Sequence, residues 1–406
     1  VSLLNRKRLH DYPWLMFLTT WLILAGNLLL RQGWLGGLGQ IIGSDYITLY
    51  AAGLLQRADP GLLYNFDAQF QTQQEIIQPT SLPGLNPFIS PPYVAFAYSL
   101  VTFLPLAWSF ALWSVLTLLF IAAAVYGVKK ILPPTPGLDY RQLLVITLSF
   151  FPFIEGFQVG QNHGLTLLLM TGVLLFTLRE RYALAGALAG LLLYKPQLVL
   201  GFLILWLVWD KWRALAAFAA VAAAWAGSYY LLFGTPPFLA YLEASPALLM
   251  LPYEPGFPGY LITTLYGLLA SLLPASAAPA SQIISQYIFI VLGFALASEG
   301  FRARKAASSQ KAMLLFLALL YPLAAAPYVQ LHDLLLLIPG FALWRQADRS
   351  RRVLYCAVIV YLGAFFLTLP AAMVGIALPA LLVIGLLAAM VYWYFTDPVL
   401  QKGAPT

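Results

Sequence analysis

Long apolar runs separated by short polar breaks most narrow what this chain can become. About twelve such runs lie near 13–31, 95–128, 142–157, 162–178, 182–194, 196–210, 213–233, 282–299, 312–326, 331–344, 353–369 and 372–395 of the 406 residues. Crossing the hydrocarbon of a bilayer takes about 20 predominantly apolar helical residues. In lipid only helices and closed barrels satisfy every backbone polar group, and these runs are too long and continuous for barrel strands of about 9–11 alternating residues. The sequence therefore predicts an all-α polytopic membrane protein, one transmembrane domain over 1–406 with about 12 transmembrane helices. Charge agrees: 9% of residues are Asp, Glu, Lys or Arg, against about 25% in a soluble domain.

The stretch from 182 to 210 is too long for one comfortable span and short for two. We divide it at Tyr194-Lys195-Pro196, because proline lacks a donor and biases the residue before it away from helix. The positive-inside rule tests the division. With the N-terminus cytoplasmic, 19 of the 22 basic residues fall inside, and only Arg31, Arg57 and Lys195 fall outside. Without the break, every later loop would invert. Eight of the 15 acids, Asp45, Asp59, Asp67, Glu75, Glu155, Glu243, Glu254 and Asp333, lie outside, leaving that face at −5 and the inner face at +12. The net charge of +7 thus reports topology, and no nucleic-acid motif accompanies it. The basic head and apolar run from Pro13 to Leu30 read as a retained first helix rather than a cleaved signal. Both termini are expected in the cytoplasm.

Two long loops, about 32–94 and about 234–281, are expected outside. Both keep large apolar residues, so neither reads as disorder, and loops of this kind suit a surface that handles lipid. Inner loops are short and basic. There is no Walker A motif, no Rossmann glycine fingerprint and no internal repeat, so any chemistry belongs outside. The lone Cys356 sits in an apolar run and supports neither a disulfide nor zinc.

Four polar groupings need an explanation. Asp45 heads a run in which Tyr46, Leu49, Tyr50, Gly53 and Leu54 recur at helical spacing, predicting an amphipathic helix. Ser44 or Asp45 could be its N-cap, worth about 1 kcal/mol, or Asp45 could be a base at the membrane surface. The turn Glu155-Gly-Phe-Gln-Val-Gly-Gln-Asn-His163-Gly places Gln161, Asn162 and His163 at an outer mouth, either as packing and backbone satisfaction or as contacts to a sugar or phosphate. Lys195 is the basic residue that topology disfavours; it either snorkels or meets a phosphate, having no evident counter-ion. His332-Asp333 opens the tenth run, either as a helix start favoured by the dipole or with His332 aimed at a phosphate. No His/Cys/Asp spacing demands a metal, so no cofactor is expected, with a divalent ion on Asp45 and a second outer carboxylate left open.

The segments GSDYITLYAAG and ADPGLLYNF (43–66), NPFISPPY (86–93), GQNHG (160–164), AGALAGLLLYKPQ (185–197) and DKWRA (210–214) resemble, in this order, glycosyltransferase family 87. These are polyprenyl-phosphomannose-dependent mannosyltransferases and related arabinofuranosyltransferases of the C superfamily. The resemblance implies that fold, with amphipathic helices in the first external loop, and an extracytoplasmic site in the cell membrane. It also implies inverting transfer of a sugar, with mannose favoured, from a polyprenyl-phosphate donor to a glycolipid, polysaccharide or protein acceptor. On this chain it makes Asp45 the general base and Lys195 a donor-phosphate contact, helped by Arg57 or His332. It puts Gln161, Asn162 and His163, with Tyr46, near the substrate. Relatives often carry two acids in the first loop; Asp45 has no acidic neighbour within two residues. A secondary transporter or lipid flippase with a polar external cavity is the rival expectation.

Overall fold

A computed structural model describes residues 5–397 apart from residues 136 and 255. Among the described residues all regular structure is helical, and the extended backbone makes only three isolated bridges. The helices in chain order are α1 (Arg6–Leu29), α2 (Ser44–Ala58), α3 (Phe66–Ile76), α4 (Pro92–Ser99), α5 (Leu106–Ile131), α6 (Tyr140–Ser149), α7 (Phe151–Val159), α8 (His163–Leu178) and α9 (Tyr182–Leu191). They continue as α10 (Leu200–Val208), α11 (Trp212–Phe233), α12 (Pro236–Ala244), α13 (Leu265–Leu272), α14 (Ala278–Arg302), α15 (Ser308–Ala325), α16 (Leu337–Ala347), α17 (Arg351–Val374) and α18 (Pro379–Thr396).

Among the described residues seven helices, α1, α5, α11, α14 with its flanking turns, α15, α17 and α18, are long and apolar enough to cross a membrane. An eighth span is made if α6 and α7, bent by 62°, act as one. The protein is thus a multi-pass membrane protein. The remaining apolar runs form shorter helices, including α8, α9 and 196–208, because glycine and proline interrupt them. Pro152, in the first turn of α7, has no N–H with which to continue α6. The chain leaves α9 at Leu191 and re-enters helix only at Pro196, the expected break. Of the seven long spans, α15 is buried over 83% of its apolar window, and α11 over 6%. So α15 forms the axis of the bundle, and the other apolar faces need lipid to cover them.

The first long loop, between α1 and α5, is structured and carries its own apolar cluster. Tyr46, Ile47, Tyr50, Leu63, Ile77, Phe88 and Tyr98 pack there, apart from the main core. The spacing predicted one buried stripe on α2, yet Tyr46 through Gly53 are all buried, because α3, α4, α5 and α7 all contact it. Tyr194 packs against both clusters, so the break after α9 lies on their seam. The second loop is pinned to the segment before α16: Thr263 N–H donates to the Val329 carbonyl at 2.9 Å.

Candidate active site

Asp45 is the second residue of α2. The N-cap is Gly43, with φ +71° and no side-chain cap bond, so neither Ser44 nor Asp45 performs the capping left open by the sequence. The Asp45 carboxylate is instead held by two side-chain amides. Asn86 Nδ2 donates to Oδ1 at 2.8 Å, and Gln161 Nε2 donates to Oδ2 at 2.6 Å. The helix N-terminus favours a negative group at this position. Gln161 arrives on the α7–α8 turn, which presses closely on α2: Gly43 N–H donates to the Gln158 carbonyl at 2.9 Å. Gly160 makes this approach, with φ +76° and only 2.6 Å between its would-be Cβ and Tyr46 Cβ. Gln161 is itself tied down, its Oε1 accepting from Asn162 N–H at 3.2 Å and its carbonyl from Trp113 Nε1 at 3.3 Å.

A charged network is drawn from three further chain segments. Lys195 Nζ donates to Asp333 Oδ1 at 2.6 Å and contacts His332 Nε2 at 3.2 Å. His332 Nδ1 lies 3.2 Å from Glu155 Oε2. The roles consistent with every partner make Nδ1–H the donor to Glu155 and Nε2 the acceptor from Lys195. That leaves one of the three Lys195 N–H groups uncommitted, on a side chain 14% exposed. Asp333 also accepts from Gln330 N–H at 3.3 Å, as one half of a capping box at Leu331–Leu336. Gly156 lets α7 come this close; a Cβ there would stand 2.8 Å from His332 Cβ.

Tyr328 joins the two groups. Gln330 Nε2 donates to its hydroxyl at 2.7 Å, and its carbonyl accepts from Gln197 at 3.0 Å. Burial, reinforced by the charges of Asp45, Asp333 and Glu155, pushes its phenol well above the usual value. Tyr260, in the second loop, is raised by burial and by Glu155.

Beside these groups runs a cavity of about 320 Å³ lined by Tyr93, Tyr98, Trp113, Leu165, Leu193, Tyr194, Trp225 and other apolar residues, with Asn162 among them. Its wall shares two chain segments with the polar site. Asn162 and Tyr194 face the cavity, while the adjacent Gln161 and Lys195 bond Asp45 and Asp333. Charged groups on the same chain segments as an apolar cavity suit a molecule with an anionic head and a hydrocarbon tail.

The family model for glycosyltransferase family 87 matches residues 88–320, more than half of the 406 residues. The chain belongs to glycosyltransferase family 87. No curated protein and no solved structure matches it. This family 87 protein is therefore a membrane glycosyltransferase, using a sugar donor and an acceptor. The matched segment contains Glu155, Gln161 and Lys195, while Asp45, Asn86, Tyr328, His332 and Asp333 lie outside it.

The glycosyltransferase brings together Asp45 and Gln161 in one group, and Lys195 and His332 in another. The other residues singled out by sequence have different surroundings. Arg57 sits at the opposite end of α2, about 18 Å from Asp45 at 1.5 Å per residue; it donates to Thr102 Oγ1 at 3.0 Å and lies over Phe103. Tyr46 is 1% exposed, bonded to Ser109 in the loop's apolar cluster. His163 is 1% exposed, its Nδ1 3.2 Å from the Gln161 carbonyl. Lys195 does have a counter-ion, Asp333. His332 has both ring nitrogens engaged and is 1% exposed. Among the described residues no three His, Cys, Asp or Glu side chains gather to hold a metal. Sequence does not single out Asn86, Glu155, Tyr328 and Asp333 as site residues; the outer placement expected for both acids is the available signal.

Proposed function

We propose that the enzyme moves a sugar, mannose by expectation, from a polyprenyl-phosphate donor to an acceptor hydroxyl on the extracytoplasmic side, inverting the anomeric carbon. The two chain segments common to the charged groups and the aromatic cavity carry this reading. The donor's first isoprenoid units lie in the cavity, and its phosphate meets the uncommitted N–H of Lys195. The topology expected from the charge asymmetry, with both termini cytoplasmic, is the ground for assigning the site to that side. The acceptor is a glycolipid, polysaccharide or protein reached from the outer face.

In the reaction the acceptor oxygen attacks the anomeric carbon, and its proton passes to an Asp45 oxygen. The bond from that carbon to the phosphate oxygen breaks, and its electron pair stays on the departing polyprenyl phosphate. Lys195, oriented by Asp333 and His332, stabilises that charge. A positioned base contributes typically about 10²–10⁴-fold, so Asp45→Asn is expected to lose that much kcat while still binding donor. Transfer of radiolabelled mannose from polyprenyl-phosphate mannose to acceptors in membranes carrying the full chain measures this. Undiminished transfer by Asp45→Asn would overturn the base assignment, and failure of wild type to use the donor would overturn the donor.

A further inference from the structure

Asn86 bonds the Asp45 oxygen that Gln161 leaves free, and α3 holds it there. Its carbonyl accepts from Gln73 Nε2 at 2.8 Å and from Thr48 Oγ1 at 3.0 Å. One turn earlier on α3, Gln69 accepts from Phe88 N–H at 2.7 Å and donates to the Phe88 carbonyl at 3.2 Å. Gln74 Oε1 accepts from Leu82 N–H at 2.9 Å. Gln69 and Gln73 are each 1% exposed, a heavy burial of amides for a helix in an external loop. Three glutamines of one helix thus grip the irregular segment 82–88, whose side chain at position 86 meets Asp45.

We propose that Asn86 is a positioning residue for the transfer reaction, which with Gln161 fixes the orientation of the Asp45 carboxylate. The inference rests on the reading of Asp45 as the base. One amide donor binds each oxygen, and each oxygen keeps a second lone-pair direction for the proton of the acceptor. Neither amide can turn over unopposed: a rotated Asn86 would aim its carbonyl at a carboxylate, and Gln161 Oε1 already accepts from Asn162 N–H. The choice of neutral donors matters. A lysine or arginine there would orient the carboxylate equally well, but as an ion pair that favours its charged form and blunts it as a proton acceptor. Amides orient without a counter-charge. Misplacing a reacting group by about 1 Å can cost about 10²-fold, the scale of effect expected when one clamp is removed.

The test compares full-length wild type, Asp45→Asn, Asn86→Ala and the near-isosteric Asn86→Asp, using transfer from polyprenyl-phosphate mannose with kcat and donor KM separated. Both position-86 variants are expected to lose about 10–100-fold in kcat with donor KM within about twofold of wild type. Asn86→Asp, which replaces a donor with a second carboxylate, is expected to lose at least as much while melting near wild type. A raised KM at unchanged kcat would make Asn86 a donor contact, and wild-type kcat in Asn86→Asp would remove the positioning role; either outcome overturns the inference. If Asp45→Asn loses transfer while Asn86→Ala keeps wild-type kcat, this inference alone fails. If Asp45→Asn transfers like wild type, the base reading fails with it.

Discussion

At the scale of single residues, Lys195 and Asp333 decide how the charged pocket behaves. An ion pair with side chains 14% and 3% exposed is costly to break from one side, because the remaining charge stays buried; losses of about 3–5 kcal/mol are typical. Asp333→Asn is therefore expected to lower the thermal midpoint sharply. Replacing both partners by apolar groups, Lys195→Met with Asp333→Leu, should recover most of that stability and leave transfer abolished. Thermal unfolding in detergent together with the transfer assay checks the pair; a double variant as unstable as Asp333→Asn would mean that the two side chains do not act as a unit. Tyr328 belongs to the same scale. With its phenol held protonated by burial and three nearby carboxylates, it is available as a hydrogen-bond donor across the neutral range.

At the scale of elements, the turn between α7 and α8 couples the first long loop to the helix bundle. Its function depends on Gly160, whose backbone is left-handed and whose missing Cβ leaves room for Tyr46. Gly160→Ala meets both a strained φ and a contact of 2.6 Å, so a loss of at least about 1 kcal/mol is expected. Gln161 would move with the turn, and kcat is expected to fall along with the melting temperature. A melt and a rate both equal to wild type would show that the turn adapts. The same element accounts for a feature that periodicity misread. α2 shows helical spacing of apolar residues, which predicts one buried face. The α7–α8 turn, α3 and α4 cover the rest, so a helix expected at a surface is buried on both sides.

At the scale of the whole molecule, the asymmetry of charge predicts which ends face which compartment. The lone Cys356 makes this simple to measure. In a Cys356→Ala background, Asp67→Cys in the first loop is expected to react with a membrane-impermeant maleimide in intact cells. Arg302→Cys, at the end of α14 with its side chain 71% exposed, is expected to react only after lysis. Labelling of both from outside would invert one half of the topology and move the break at 194–196. The number of crossings rests on the same logic, since α8, α9 and α10 are short for a bilayer of ordinary thickness.

The apolar runs alone determined that this protein is helical and multi-pass, because no other arrangement satisfies a backbone in lipid at that composition. The order of short motifs pointed to its family, and the residue types that could accept a proton or meet a phosphate were visible one by one. Which of them meet was not visible. Asp45 and Arg57 look like companions on one helix, yet a helix of 15 residues sets them at opposite ends. The groups that touch Asp45 lie 41 and 116 residues away, and the counter-ion of Lys195 lies 138 residues away. Contacts at such separations leave no local period to read. They arise only when the glycine turn after α7, the proline break after α9 and the segment before α16 pack at one seam between two apolar clusters.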